Sequence, residues 1–329
     1  MKFDMVCEGG GVKIPGLAGA YDKICEKGYE LSHACGTSAG AIVSAVAAAG
    51  YTPTEIRKLL METDFDKFRD GGKVITSKVW NLIFNNGIYK GDEFYQYIKH
   101  LLAEKNIHTF KDLRYEDRND KFAYRLKVMA SDITSGSLLT LPDDIKWYGM
   151  EPDELEVALA IRMSMSIPFY FRPIIIDPKS GDNGTTLTNP MNIGSLNQKH
   201  AIVDGGLLSN FPIWQWDSSD EPEWPTFGLL LYGTGDDKPY KTNNPINLAA
   251  ALFGTMMKAH DKHFIRPDDF INRTISIPTG NVSSIDFEIS QQRKGMLYKA
   301  GQDAAEEFLK DWSWARYKKW ATNSRNRNI

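Results

Sequence analysis

Cysteine is scarce in this chain. Only Cys7, Cys25 and Cys35 among 329 residues carry a thiol, an odd, sparse set that excludes a disulfide framework and reads as buried free thiols of a reducing compartment. Charge of one sign is lacking too. With 39 basic and 42 acidic residues the net charge is −3, so no overall field draws the protein to nucleic acid. Long apolar runs are absent. The longest run of small apolar residues, positions 39–49, falls short of the ~20 residues that span a bilayer. The opening MKFDMVCEGGG has neither the apolar run nor the cleavage site of a secretion signal, so a cytoplasmic protein is expected. No internal repeat stands out. No cluster of residues has zinc or calcium spacing, so neither a metal nor another cofactor is expected.

What is present is ordinary globular material, 42% hydrophobic and 25% charged, enough for a large core. KFDMVC (2–7) reads as a buried strand, followed by three glycines. Leu17, Tyr21 and Ile24 then recur at helical spacing until Gly28. LSHACG (31–36) reads as a second strand, and 39–49 as a helix apolar on nearly every face, hence buried. Thr52-Pro53-Thr54-Glu55 is a capping box with proline at the first helical position, and Phe94, Tyr97, Ile98, Leu101 and Leu102 form an amphipathic stripe. YRLKVMASDI (124–133) and SLLTL (137–141) read as strands joined at Thr134-Ser135-Gly136. DELEVALAIRMSMS (153–166) reads as a helix stopped before Pro168. Residues 177–200 are polar, rich in Gly and Asn and without period, which predicts a long loop. AIV (201–203) and TFGLLLYG (226–233) read as strands, with helices at about 246–264 and 291–311. Strands alternating with helices predict an α/β sandwich on a mostly parallel sheet.

Three stretches carry chemistry. In HACGTSAGAIVSAVAAAG (33–50), Ser38 stands between Gly36 and Gly40. By chance alone such a G-x-S-x-G falls in roughly one chain in nine of this length, so context decides. A serine on a strand-to-helix turn projects its hydroxyl above the sheet, and the helix N-terminus behind it favours a developing oxyanion. The plainer reading is a serine N-cap. EGGGVK (8–13) exposes consecutive backbone N–H groups, a nest for negative charge. A dinucleotide loop is the rival, but Gly9-x-Gly11-x-x-Ile14 breaks that spacing, and the second strand ends without the acid that would hold a ribose. In AIVDGGLLSNFP (201–212), Asp204 ends a strand before Gly205 and Gly206. That is a functional position in α/β proteins and also a common turn-capping position.

In this order, the glycine loop, G-x-S-x-G and D-G-G resemble the patatin-like phospholipase family. MASDITSG (129–136), IRMSMSIPFYFRPI (161–174) and GMLYKAGQDAAEEFL (295–309) resemble it as well, so the similarity spans nearly the whole chain. One departure is Ile14, where the family usually has glycine. The resemblance implies one three-layer α/β domain over 1–329, with a motif-bearing core (1–217), C-terminal strands and helices (218–311) and a tail (312–329). It also implies a Ser–Asp dyad without histidine: Ser38 attacks a lipid ester, Asp204 takes its proton, and Gly9, Gly10 and Gly11 supply oxyanion N–H groups. Gly36, Gly40, Gly205 and Gly206 support the motifs. Lys13 either adds charge near the hole or faces solvent. The implied partner is a lipid at a membrane surface, met peripherally.

Rivals remain on the residues alone. A Ser-His-Asp α/β-hydrolase finds its histidine in His260 or His263 but places more strands ahead of its nucleophile. An acyltransferase, or a lipid-binding protein without turnover, would keep the same residues. The apolar Val74, Val79, Trp80, Leu82, Ile83 and Phe84 suit an acyl-chain mouth or a core helix. In the tail, Trp312, Trp314, Tyr317 and Trp320 interleave with Arg316, Lys318, Lys319, Arg325 and Arg327. They suit either a headgroup contact or a cover for the core edge with a frayed end.

Overall fold

A computed structural model describes residues 1–69, 87–118, 121–178, 198–218, 220–234, 242–243, 248, 251–252, 254–256 and 271–325. The stretch with Val74 to Phe84, His260 and His263, and most of the expected 246–264 helix and 177–200 loop lie outside these residues. The strands are β1 (Lys2–Cys7), β2 (Glu30–Thr37), β3 (Gly87–Tyr89), β4 (Leu126–Asp132), β5 (Ser137–Leu141), β6 (Phe169–Phe171), β7 (Ile174–Ile176), β8 (His200–Asp204), β9 (Thr226–Tyr232) and β10 (Thr274–Pro278). The helices are α1 (Ile14–Glu26), α2 (Ala39–Ala48), α3 (Pro53–Glu62), α4 (Asp92–Glu104), α5 (Val157–Ser164), α6 (Gln291–Asp311) and α7 (Trp314–Arg325).

The central sheet runs β10-β9-β1-β2-β4-β8-β7, with β5 also on β4. The first five are parallel, while β5, β8 and β7 add antiparallel pairs. The chain is therefore an α/β sandwich with a mostly parallel sheet flanked by helices. Period-two alternation sorts the side chains. Phe3, Met5, Ala34, Val128 and Ala130 join the large core shared with the helices. Val6, Cys35 and Met129 face the other way, onto Phe211, Ile213 and Trp216 of the segment after β8.

One register detail positions the site. β2 pairs with β4 from Ala34–Leu126 to Thr37–Met129. From Ala130 to Asp132, β8 takes over as an antiparallel partner, ending with Asp204 opposite Ala130. The other edge of β4 is occupied by β5 from Val128 to Asp132, so β2 and β8 share one edge. Their C-terminal ends meet head to head where β2 leaves the sheet.

Several elements differ from expectation. The 153–166 helix begins at Val157, because Pro152–Glu154 form a 3-10 turn and Glu156 is extended, bridged to Thr109. β3 and β6, which form a small parallel sheet, and the short β7 carry no period long enough to read, and β10 (Thr274–Pro278) is an additional strand. Cys7 and Cys35 are buried, but Cys25 is only half-buried on α1. Past Asp311 the chain continues as α7 as far as Arg325, with buried Tyr317 accepting from the Thr226 N–H (3.0 Å) and Trp312 donating to the Asn272 carbonyl (3.0 Å). Among the described residues no helix is long and apolar enough to cross a membrane.

Candidate active site

β2 ends at Thr37 and α2 begins at Ala39, so Ser38 makes the whole turn between them, at φ 52° and ψ −131°. A non-glycine residue there costs of order 1–3 kcal/mol and persists only where the surroundings over-determine it. Those surroundings are specific. The Ser38 N–H donates to Ser164 Oγ (2.8 Å), and Thr37 Oγ1 donates to the Ser209 carbonyl (3.0 Å). The flanking glycines permit the tight passage: a Cβ on Gly36 would fall 2.5 Å from the Gly40 carbonyl carbon, and one on Gly40 would fall 2.4 Å from the Glu8 carbonyl oxygen. Any side chain at either position would push α2 off β2 or off the glycine loop.

Ser38 Oγ donates to Asp204 Oδ2 at 2.6 Å. Ser38 is 4% exposed and Asp204 not at all. The second oxygen, Oδ1, accepts from the Gly206 N–H (2.8 Å), and the Asp204 N–H donates to the Ser166 carbonyl (3.0 Å), so strand and turn both hold the carboxyl. Gly205 packs against the β4 backbone, where a Cβ would meet the Met129 carbonyl oxygen at 2.3 Å. Burial pushes the Asp204 carboxyl up to about 7, against the lowering effect of the bonds from Ser38 and Gly206. A carboxylate poised there can take a proton at neutral pH.

The glycine loop lies against this pair. A Cβ on Gly9 would approach Ser38 Cβ to 3.1 Å. The three glycines do not act alike, however. The Gly9 N–H donates to the Asn210 carbonyl (3.1 Å), and the Asn210 amide returns a bond to the Gly9 carbonyl (3.1 Å). Of the three glycines expected to offer an N–H, Gly9 has its own engaged by Asn210. Among the described residues nothing accepts from the N–H of Gly10 or of Gly11, which turns at φ 56°. Lys13 is buried, 5% exposed, which corrects the solvent-facing alternative.

Two histidines that share the sheet with the site are engaged elsewhere: His33 with Asp4 (2.7 Å) and His200 with Asp132 (2.7 Å). Sequence reasoning missed Ser164, Glu8 and Asn210. The last two sit inside stretches already singled out, where an acid directly before the glycine run and an amide six residues after Asp204 were the available signals. Ser164 had none, since its role depends on α5 packing beside the turn.

Comparison with known proteins bears on the family and the fold. The profile of the patatin-like phospholipase family matches residues 5–216. The uncharacterized protein YqhO of Bacillus subtilis is 39% identical over 323 residues, 95% of this chain and 100% of that one. The probable lipid hydrolase 463L of Invertebrate iridescent virus 6 is 25% identical over 209 residues, 64% of this chain and 61% of that one. Among solved structures, VipD from Legionella pneumophila shares the fold at a TM-score of 0.53 and 17% identity, covering 94% of this chain and 66% of that one.

Proposed function

The chain belongs to the patatin-like phospholipase family, and from that premise we propose that it hydrolyses carboxylic esters of membrane lipids through Ser38 and Asp204. The observation that carries this reading is the direct 2.6 Å bond from Ser38 Oγ to a carboxylate buried at the meeting of two strand ends. In a Ser-His-Asp arrangement an imidazole would occupy that place.

The chemistry follows from the geometry. Ser38 Oγ attacks the ester carbonyl as its proton passes to Asp204 Oδ2. The carbonyl oxygen becomes an oxyanion, which the Gly10 and Gly11 N–H groups and the N-terminus of α2 favour. Collapse of this intermediate breaks the bond to the alcohol, which leaves with the proton from Asp204. A water then attacks the acyl-enzyme, giving its proton to Asp204, and the fatty acid departs as the proton returns to Ser38 Oγ. No other base is required. Its burial makes Asp204 basic enough for the task, whereas an exposed aspartate would be a weak acceptor.

Mass spectrometry of the products released from a defined phospholipid panel tests the reading. Wild type is expected to release fatty acid and lyso-lipid, and Ser38→Ala and Asp204→Ala to release neither. His260→Ala and His263→Ala are expected to keep most of the activity; its loss in a folded histidine variant would replace the dyad by a triad. Transfer of the acyl group to an added alcohol in preference to water would make the protein an acyltransferase.

A further inference from the structure

We propose that Asn210 is a positioning residue for this reaction: it locks the glycine loop to the Asp204 loop, so that oxyanion donors and proton acceptor keep one geometry. The inference rests on the dyad reading and deepens it.

Asn210 lies six residues after Asp204 and is 7% exposed. It meets Gly9 twice, its carbonyl accepting from the Gly9 N–H and its side-chain amide donating to the Gly9 carbonyl, both at 3.1 Å. This is a miniature two-bond ladder between segments 201 positions apart. The same amide donates to Glu8 Oε1 at 3.1 Å, and Glu8 Oε2 accepts from the Leu231 N–H at 2.6 Å. Glu8 thus links the loop to the end of β9 as well. The loop after β1, the loop after β8 and the end of β9 meet at one carboxylate and one amide. Gly10 and Gly11, the N–H groups left for an oxyanion, come immediately after the clamped residue. The alternative to a clamp is a glycine loop free to pivot about its own φ and ψ, and glycine opposes that less than any other residue. An error of about 1 Å in a donor's position can cost on the order of 100-fold in rate.

The donor pattern supplies the test. Asn210→Asp loses the amide and sets two carboxylates face to face. In Glu8→Gln/Asn210→Asp, the glutamine amide takes the place of Oε1 and donates to the carboxylate introduced at position 210, while its oxygen still accepts from Leu231. Only the bond to the Gly9 carbonyl stays lost. With a soluble short-chain ester, Asn210→Ala and Asn210→Asp are expected to lower kcat by about 100-fold with KM within about twofold. Asn210→Ala is expected to leave the midpoint of the kcat–pH profile in place, because Asp204 is untouched. The double variant is expected to recover about tenfold of the Asn210→Asp loss.

Retention of kcat within about threefold in both single variants overturns the proposal, and so does a double variant no better than the additive product. A KM rise at constant kcat would make Asn210 a binding contact and also overturn it. Should Asn210→Asp fail to fold, Glu8→Gln alone decides: about a tenfold fall in kcat is expected, and an unchanged kcat overturns it. Ser38→Ala run alongside separates the two readings. If it is as active as wild type the dyad reading falls; if it is dead while the Asn210 variants are not, only the clamp falls.

Discussion

Asp204 and Asp132 sit on neighbouring antiparallel strands, and neither is exposed, yet they are opposite kinds of acid. Burial pushes both carboxyls up. Asp204 accepts from two donors, Ser38 Oγ and the Gly206 N–H, and stays raised to about 7. Asp132 accepts from the Thr134 N–H, the Ser135 N–H and Oγ, Tyr148 Oη and His200 Nδ1, and these bonds outweigh burial and hold it below the usual range. Both side chains lie in the sheet without exposure, but Asp204 is the more deeply desolvated and has the fewer donors, so depth and donor number together make the difference. A carboxylate fully supplied with donors is a structural anion with no appetite for a proton. One left short of donors is a base.

The comparison breaks first on activity. Asp204→Asn is expected to cost about 10³-fold or more in ester hydrolysis, on the order of what a general base supplies, and Asp132→Asn less than about tenfold. Equal losses in a steady-state assay would erase the distinction. The wild-type kcat–pH profile should rise through a midpoint near the Asp204 value of about 7, because the base acts only when ionised. A flat profile between pH 5 and about 9 would remove Asp204 as the base.

Stability should change in opposite directions. The raised Asp204 favours its protonated form in the fold, so its contribution is full below the unfolded value of about 4 and is lost as pH rises to about 7. Asp204→Asn should therefore unfold later than wild type at pH 8, by on the order of 2–4 kcal/mol, with the gain vanishing in acid. Asp132, lowered in the fold, contributes above its unfolded value and loses that contribution as pH falls through its folded one. Asp132→Asn should destabilise by about 3 kcal/mol at pH 8 and by less in acid. Denaturant melts of both variants at pH 8 and pH 4.5 read the two signs. A stabilising Asp132→Asn would mean that its donors do not serve the charge.

The smallest effect is expected at a third buried aspartate. Asp4 is raised by burial, partly offset by bonds from His33 and Trp224, both to Oδ1 at 2.7 Å. An asparagine oxygen can accept both bonds, and the raised carboxyl favours its neutral form in the fold, so Asp4→Asn should stabilise slightly at pH 8, by less than about 1 kcal/mol, and leave kcat alone. A larger change in the same melts would show that charge at Asp4 matters beyond its two bonds.

Much of this molecule was legible before its fold. β1, α1, β2 and α2 follow from local patterns of apolar residues and glycine, and the Thr52 capping box forms with both of its bonds. The hairpin of β4 and β5 turns where Thr134-Ser135-Gly136 predicts, with Gly136 at φ 71°. What escaped reading is short or contextual. β7 has three residues, too few for a period to declare itself, while β10 carries the alternation Thr274-Ile275-Ser276-Ile277, which went unread. Glu154 and Leu155 are sound helix formers, left out of α5 because Glu156 is extended and bridges to the distant Thr109. The tail's aromatics suit a cover for the core edge before a membrane belt, and docking against Thr226 and Asn272 turns Tyr317 and Trp312 toward the protein.

By itself the sequence determined that a serine would stand at a strand-to-helix turn, that an aspartate would end a strand before two glycines, and that a glycine run would expose backbone N–H groups. Each is a local matter, settled by side-chain volume, apolar period and the freedom of glycine within a few residues. Only the tertiary structure decided that these pieces would face one another. Ser38 and Asp204 are 166 positions apart, and they meet because β8 takes over the edge of β4 that β2 gives up. The fold also raised the Asp204 carboxyl, by removing water without supplying enough donors in its place, and paired the N–H of Gly9 with the Asn210 carbonyl. Pairing across such distances, and the loss of solvent that follows, are properties of the packed chain and of no segment within it.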